Sequence, residues 1–414
     1  MTDQRDLLGE AGEPEELGFS AVRLARIDDH FGKYVADGRL AGWQVVVSRH
    51  GKVVHASTCG HRDVAAGAPF EHDTIVRLYS MTKSITSVAA MMLYEEAAFE
   101  LKDPVAKFIP SFADLRVFSG GSSAKPTTVP AQEPMRIWHL LTHTAGLTYG
   151  FHYSHPVDAR YRAAGFDFGM PPGIDLAEVC DRWAALPLVF EPGSRWNYSV
   201  ATDVLGRIVE VVSGMTLDEF FRTRIFEPLG MTDTGFAVPE ADLDRFAVLY
   251  SPHPKTGAAF VSPLDKPLST KPAALSGGGG LVGTAKDYLR FVHMLRNHGE
   301  LDGARLLGTR TVDYMTRNHL PGGQDLEQFG LPLFAETTYD GVGFGLGFSV
   351  VDDPVKNRVL GSKGDFGWGG AASTAFWVDP VNDISVLFLT QLLPSSTHPI
   401  RSELKRMIVQ ALVD

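Results

Sequence analysis

Cysteine is almost absent from the 414-residue sequence, which contains only Cys59 and Cys180. Two cysteines exclude a disulfide framework and a zinc site built from cysteine ligands. Basic residues are also too few to balance the acidic ones, because 38 Lys and Arg stand against 49 Asp and Glu, which gives a formal net charge of −11. Such a surface repels phosphate backbones and no local basic patch offsets it, so we expect no nucleic-acid partner.

Long hydrophobic runs are absent as well. Apolar stretches such as Ile384–Leu389 are far too short to span a membrane. The acidic N-terminus, residues 1–16, lacks the basic and apolar regions of a signal peptide. We therefore expect a cytoplasmic protein with no membrane partner. Apolar residues still make up 44% of the chain, which is enough to bury a core and excludes global disorder.

Two catalytic motifs are missing: Gly-x-Ser-x-Gly, whose absence disfavours an α/β-hydrolase, and His-Glu-x-x-His. His139 and His143 have the spacing of two ligands on one helix face, but no third ligand is evident, so we interpret both as structural histidines. Gly278–Gly283 fits the formal dinucleotide-binding pattern, but a proline-rich loop precedes it instead of a strand. We interpret that segment as a loop followed by a helix capped by Thr284, and we predict neither a metal nor an organic cofactor.

Strand-like segments lie at both ends of the chain, and helical segments lie in the middle. Residues 1–17 are acidic and polar and are predicted to be a flexible leader. Residues 18–75 and 281–414 are predicted to form an α/β domain of the α+β type, with an antiparallel sheet built from both termini and flanked by helices. Residues 76–280 are predicted to form a mostly helical inserted domain.

Individual elements follow from periodicity and from helix breakers. Ser80–Ala98 contains neither Gly nor Pro and predicts a long helix. Thr284–Asn297 predicts an amphipathic helix, and Ile384–Thr390 predicts a strand. Residues 120–132 are rich in Gly, Ser and Pro and predict a loop, whereas Val359–Leu360 predicts a short strand.

The motif Ser-x-x-Lys occurs three times, beginning at Ser80, Ser122 and Ser402. Ser122 lies in the predicted loop, where nothing fixes its geometry, and Ser402 lies in the charged start of the last helix. Ser80 opens the long helix, so Ser80 and Lys83 share a face about 5–6 Å apart at Cβ. The helix N-terminus favours an oxyanion beside this serine, and a desolvated lysine there loses its proton more readily and could act as a base.

Five segments occur in a characteristic order along the chain. They are Ser80-Met81-Thr82-Lys83, His143–Leu147, Phe190–Ser199, Ser276–Leu281 and Trp368-Gly369-Gly370. In this order the sequence resembles the serine β-lactamase and penicillin-binding-protein superfamily, and within it the family VIII carboxylesterases. The resemblance runs from about residue 20 to about residue 395. It implies a β-lactamase-like fold with the active site at the interface between the α/β domain and the helical domain.

The resemblance also implies roles for particular residues. Ser80 is the nucleophile, and Lys83 and Tyr198 share the general-base and general-acid duties, with either of them open as the first proton acceptor. The family's Tyr-x-Asn element has Val200 in place of its asparagine, which weakens any role in recognising amides. Tyr149 could line the substrate pocket, although a role in packing alone is equally compatible with the sequence.

Trp368-Gly369-Gly370 takes the place of the Lys-Thr-Gly element of β-lactamases. By the resemblance these three residues bind substrate, and the backbone N–H groups of Ala371 and Ser80 form the oxyanion hole. Replacement of the lysine by Trp368 removes a cation that would bind a substrate carboxylate and adds an apolar wall.

These roles imply a serine hydrolase that cleaves short-chain carboxylic esters through an acyl-serine intermediate, with a small-molecule ester as its partner. One alternative is an acyltransferase that uses the same acyl-enzyme. A second alternative is an amide hydrolase of the β-lactamase or D-Ala peptidase type, which Trp368 and the missing asparagine disfavour. A binding protein on an inactive scaffold is disfavoured by the intact Ser80, Lys83 and Tyr198.

Overall fold

The computed structural model describes residues 4–331 and 339–414. Its main feature is an eight-stranded sheet in which neighbouring strands pair antiparallel. From one edge to the other the strands are Val342–Phe344, Ser349–Val351, Phe366–Gly369, Ala375–Asp379, Ile384–Thr390, Gly42–Arg49, Lys52–Asp63 and Ala68–Pro69. The sheet joins the two ends of the chain, which confirms the predicted β-lactamase-like architecture.

Gly42–Arg49 and Ile384–Thr390 pair at the centre of the sheet, and every residue of both strands is buried. Alternate side chains of these strands pack against helices Arg26–Ala36 and Ile400–Val409 on one face and against helix Ala285–Arg296 on the other. Because successive side chains of a strand point to opposite faces, helices must cover both. This double cover explains why the two strands read as nearly continuous apolar runs.

The helix Thr82–Glu95 runs through the main core, and most of its side chains are buried on all sides. A helix buried all round belongs inside a protein rather than on its surface. It packs against the helix Ala201–Ser213. The sequence predicted this element to begin at Ser80, but residues Tyr79–Met81 form a separate 3₁₀ turn that precedes it.

The remaining elements are shorter. Helices span Ala21–Leu24, Ile137–Leu141, Pro156–Ala163, Leu176–Ala184, Leu217–Phe221, Glu227–Leu229, Thr309–Met315, Leu326–Phe329 and Pro354–Asn357. Small antiparallel pairs join Val76–Arg77 to Val282–Gly283, Arg116–Gly121 to Pro126–Pro130, Tyr250–Pro252 to Ala259–Val261 and Glu300–Leu301 to Ala304–Arg305. Among the described residues no helix combines the length and the apolar composition needed to cross a membrane.

Val76–Arg77 and Val282–Gly283 lie where the chain enters and leaves its middle region, so their pairing closes that region at its base. The predicted boundaries at residues 76 and 280 lie beside this pair. The division of the chain into an α/β domain and a helical domain stays a prediction.

Three local predictions differ from the structure. The leader was predicted as flexible, but its residues 4–17 lie against the sheet, because Leu8 is buried in the main core and the backbone around Gly12 hydrogen bonds with Val53. Residues 1–3 lie outside the described residues. Residues 120–132, predicted as a loop, contribute to a hairpin whose bend is accommodated by Gly121, at a φ of 87°. Val359–Leu360 is not a strand, since Leu360 is exposed and forms no ladder.

Candidate active site

Ser80 lies in the sharp 3₁₀ turn immediately before the helix Thr82–Glu95. The preceding residue, Tyr79, has a φ of 46°, a left-handed conformation that is uncommon for an aromatic residue. Such a conformation costs on the order of 1–3 kcal/mol, so the surrounding contacts must hold it in place. Ser80 lines two cavities, whereas most side chains of the helix that follows it are buried.

Lys83 lies one helical turn after Ser80 and is 2% exposed. Its Nζ donates hydrogen bonds to Ser80 Oγ at 3.2 Å, to the Tyr149 hydroxyl at 2.9 Å and to the carbonyl oxygen of Gly278 at 2.6 Å. A lysine ammonium has three donors, and each has an acceptor here. These contacts therefore hold the lysine amine directly beside the serine hydroxyl.

Two tyrosine rings enclose Lys83, and their hydroxyls have different partners. Tyr149 is bonded to Lys83 directly, whereas the Tyr198 hydroxyl accepts a hydrogen bond from Trp368 Nε1 at 3.3 Å. Lys83 Nζ lies 4.6 Å from the centre of the Tyr198 ring, a cation–π distance. Burial, followed by the negative charge of Asp203, raises the pKa of Tyr149 well above its usual range, so this tyrosine is a neutral phenol.

The turn after strand Phe366–Gly369 brings Ala371 to Ser80, and both residues line the same two cavities. A Cβ on Gly370 would overlap the carbonyl oxygen of Leu78 and the Thr374 side chain, so only glycine lets this turn approach the nucleophile so closely. A Cβ on Gly369 would overlap the carbonyl oxygen of Thr374 and the Arg401 guanidinium. Ser80 and Ala371, whose backbone N–H groups the resemblance assigns to an oxyanion hole, therefore line the same site.

Trp368 is half-buried at the end of the same strand and belongs to an aromatic cluster. Its ring centre lies 5.5 Å from that of Tyr198 and 5.3 Å from that of Phe344, the latter in an edge-to-face arrangement. Its indole N–H is already bonded to Tyr198. Trp368 therefore contributes an apolar surface to this site and carries no positive charge.

Two cavities meet at Ser80. The larger, of about 280 Å³, is lined mainly by aromatic and apolar side chains, among them Tyr149, Phe151, Phe166, Phe168, Met170 and Trp183. The smaller, of about 120 Å³, includes His152, Tyr198, Trp368, Leu393 and Arg401. Phe151 and Phe168 line both cavities, and the centres of their rings lie 5.4 Å apart.

The two histidines at helical spacing have unrelated partners. His139 Nδ1 accepts from the backbone N–H of Arg136 at 3.1 Å, and burial lowers the pKa of His139 to about 4. His143 lies 3.3 Å from Ser199 Oγ; burial, followed by the positive charge of Lys83, lowers its pKa well below the usual range. Within the described ranges no group of three or more His, Cys, Asp or Glu is arranged to hold a metal ion.

The structure brings Ser80, Lys83, Tyr198, Tyr149 and the segment 368–371 together, as the motif order implied. Sequence reasoning missed Asp203, a buried carboxylate that lines the larger cavity and hydrogen bonds with the glycine loop, defined here as residues 276–280. The available signal was only an acidic residue in the first turn of the helix Ala201–Ser213.

The family model described as beta-lactamase matches residues 27–409 of this chain. An uncharacterised protein of Mycobacterium tuberculosis is 38% identical over 361 residues, which cover 86% of this chain and 87% of that protein. Esterase EstB of Burkholderia gladioli is 32% identical over 397 residues, which cover 91% of this chain and 93% of that esterase. The solved structure of EstCE1, described as a hydrolase with promiscuous acyltransferase activity, has 29% identity and a TM-score of 0.78 and covers 97% of this chain and 99% of its own.

Proposed function

The chain belongs to the beta-lactamase family, and from this membership and the geometry around Ser80 we propose that it is a carboxylesterase, a serine hydrolase that acts on small neutral esters. The observation that carries the proposal is the 3.2 Å hydrogen bond between Lys83 Nζ and Ser80 Oγ. A nucleophile and a base within hydrogen-bond reach, next to two backbone N–H donors, are the groups that acyl transfer requires.

In the proposed reaction Ser80 Oγ attacks the ester carbonyl carbon while its proton passes to Lys83, which must first have lost a proton. The oxygen of the tetrahedral intermediate accepts hydrogen bonds from the N–H groups of Ser80 and Ala371. Collapse of this intermediate breaks the ester C–O bond, and the leaving alcohol takes a proton from the Lys83 and Tyr198 network. Water then attacks the acyl-Ser80, and its proton returns through the same groups, which restores the free serine and releases the acid.

The lining of the two cavities supports a neutral substrate with short apolar groups. The larger cavity is lined mainly by aromatic and apolar side chains. In the smaller cavity Trp368 supplies no charge, and the Arg401 guanidinium that also lines it already donates to the carbonyl oxygens of Gly370 and Thr374. Burial of apolar surface is therefore the main favourable contribution to binding. We propose short-chain esters on this basis, and a cytoplasmic location remains part of the proposal.

The proposal is tested by intact-mass analysis after exposure to a fluorophosphonate, with peptide mapping of the adduct, alongside hydrolysis of a panel of p-nitrophenyl esters. One adduct on Ser80 and turnover of the acetate or butyrate ester are expected. Ser122→Ala is a matched control, since Ser122 begins another Ser-x-x-Lys motif but is exposed. If the wild-type protein showed neither labelling nor turnover, this result would contradict the proposed esterase and favour a binding protein.

Acyl transfer to an alcohol is a second candidate, supported by the description of EstCE1. Both reactions share the acyl-Ser80 intermediate and differ in whether water or an alcohol attacks it. Adding a small alcohol during turnover separates them. Formation of a new ester at the expense of free acid would show transfer, whereas an unchanged yield of acid would leave hydrolysis as the activity.

A further inference from the structure

Asp203 is a buried carboxylate that none of the reaction steps above uses. It lies in the first turn of helix Ala201–Ser213 and is 2% exposed. Its Oδ1 accepts a hydrogen bond from Ser276 Oγ at 2.5 Å and a second from the backbone N–H of Gly278 at 2.9 Å. Both donors belong to the glycine loop, so Asp203 fixes this loop from the side of the helical region.

The residue held by Asp203 is the same residue that holds the catalytic lysine. Lys83 donates to the carbonyl oxygen of Gly278 at 2.6 Å, the shortest of its three hydrogen bonds. Gly278 is thus bound at its N–H by an anion and at its carbonyl by a cation. A Cβ at this position would overlap the Asp203 carboxylate, so a glycine is required for the contact.

The buried charges of Asp203 and Lys83 act on each other. Burial raises the pKa of Asp203, while the Lys83 charge and the hydrogen bonds from Ser276 and Gly278 oppose that rise. The negative charge of Asp203 also acts on Tyr149 and on Cys180 of the neighbouring helix. Burial, followed by this charge, raises the pKa of the Tyr149 hydroxyl and the pKa of the Cys180 thiol. Both groups therefore remain neutral.

The other groups that surround Lys83 come from neighbouring segments of the chain and carry no charge. They are the Tyr149 hydroxyl, the Tyr198 ring and His143, which is held neutral by burial and by Lys83 itself. Against this neutral surface an ionised Asp203 stabilises the protonated form of Lys83.

We propose that Asp203 is a positioning residue: it holds Gly278 so that the Gly278 carbonyl fixes Lys83 beside Ser80, and its negative charge stabilises the ammonium that Lys83 becomes when it takes the serine proton. This inference rests on the proposed ester hydrolysis. Because the ammonium forms as Ser80 attacks, an anion close by lowers the barrier to acylation.

Asp203→Asn tests this role, because asparagine keeps an acceptor of the same shape and loses the charge. Removing an opposite charge destabilises protonated Lys83, so the acidic limb of kcat/KM against pH should move to lower pH by about 1 unit. The plateau of the acylation rate should fall by up to about tenfold. The same limb should move in the pH dependence of fluorophosphonate labelling, followed by intact mass, which does not require turnover.

Asp287→Asn is the matched control. Asp287 is also 2% exposed, also lies in the first turn of a helix, and also accepts from one hydroxyl, that of Thr234 at 2.8 Å, and one backbone N–H, that of Asp233 at 2.7 Å. It does not line the cavities at Ser80. Its variant should lose stability without moving the acidic limb.

An unmoved limb in folded Asp203→Asn, with the wild type active, would overturn the Asp203 role and leave the esterase intact. An inactive and unlabelled wild type would instead overturn the esterase. If Asp203→Asn does not fold, Gly278→Ala tests the same arrangement, since its methyl group forces the loop away from the carboxylate. We expect at least about a tenfold loss of the labelling rate from one lost charge-assisted contact, and wild-type labelling by this variant would refute the proposal.

Discussion

Tyr149→Phe removes only the hydroxyl that accepts a hydrogen bond from Lys83 at 2.9 Å. In the proposed reaction Lys83 is neutral before attack and becomes an ammonium as Ser80 loses its proton, so this bond is stronger in the transition state than before it. A hydrogen bond to a charged group contributes about 1.5–3 kcal/mol. The acylation rate should therefore fall by about 10- to 100-fold.

The assay is the burst phase of p-nitrophenyl acetate hydrolysis by stopped flow, which separates acylation from release of the acyl group. Tyr34→Phe is the control, since the Tyr34 hydroxyl also bonds to a charged partner, Glu403 at 2.9 Å, but lies on the opposite side of the sheet from the core that contains Lys83. A burst rate in Tyr149→Phe within twofold of the wild type would refute the role of the Tyr149 hydroxyl in stabilising protonated Lys83 and leave Tyr149 a packing residue.

Three further predictions concern the residues that the motif order identified. Ser80→Ala should lower kcat by several orders of magnitude with an unchanged melting temperature, and Ser122→Ala should leave kcat unchanged; near-wild-type turnover by the first variant would exclude Ser80 as the nucleophile. Lys83→Ala and Tyr198→Phe should each reduce kcat sharply and combine less than additively in the double variant, whereas full additivity would show that they act in separate steps. Because Trp368 replaces a lysine, capture of substrates with a carboxylate should be about 10- to 100-fold weaker than a charged partner would give, so kcat/KM for p-nitrophenyl butyrate should far exceed that for nitrocefin. Ring opening as efficient as ester cleavage would favour a β-lactamase, and Trp368→Ala should alter the order of preference within the ester panel.

The parts of the site that could be predicted are those set by local geometry or by motif order. Ser80 and Lys83 are three residues apart, so any helical turn brings their side chains to one face. Trp368 and Ala371 could be assigned only through the resemblance, because Trp368-Gly369-Gly370 occupies the place of the Lys-Thr-Gly element in the order of motifs. The sheet was predictable for a similar reason, since the apolar runs in Gly42–Arg49 and Ile384–Thr390 require cover on both faces.

The parts that could not be predicted depend on contacts between residues distant in sequence. Tyr149 is 66 residues from Lys83, and the Gly278 carbonyl is 195 residues from it. No periodicity encodes which of two nearby tyrosines turns its hydroxyl toward the lysine. Asp203 is equally invisible, because a first-turn aspartate ordinarily indicates only a favourable interaction with the helix dipole.

The burial of Lys83 explains why these distant groups belong to the site. An ammonium removed from water is costly unless hydrogen-bond acceptors and an opposite charge compensate for it. Tyr149 and Gly278 supply acceptors, and Asp203 supplies the charge while it also fixes Gly278. Each of these contacts lowers the cost of the protonated lysine, and the protonated lysine is the form that acylation produces. The groups that make the cation tolerable in the fold are therefore the groups that lower the barrier to attack by Ser80.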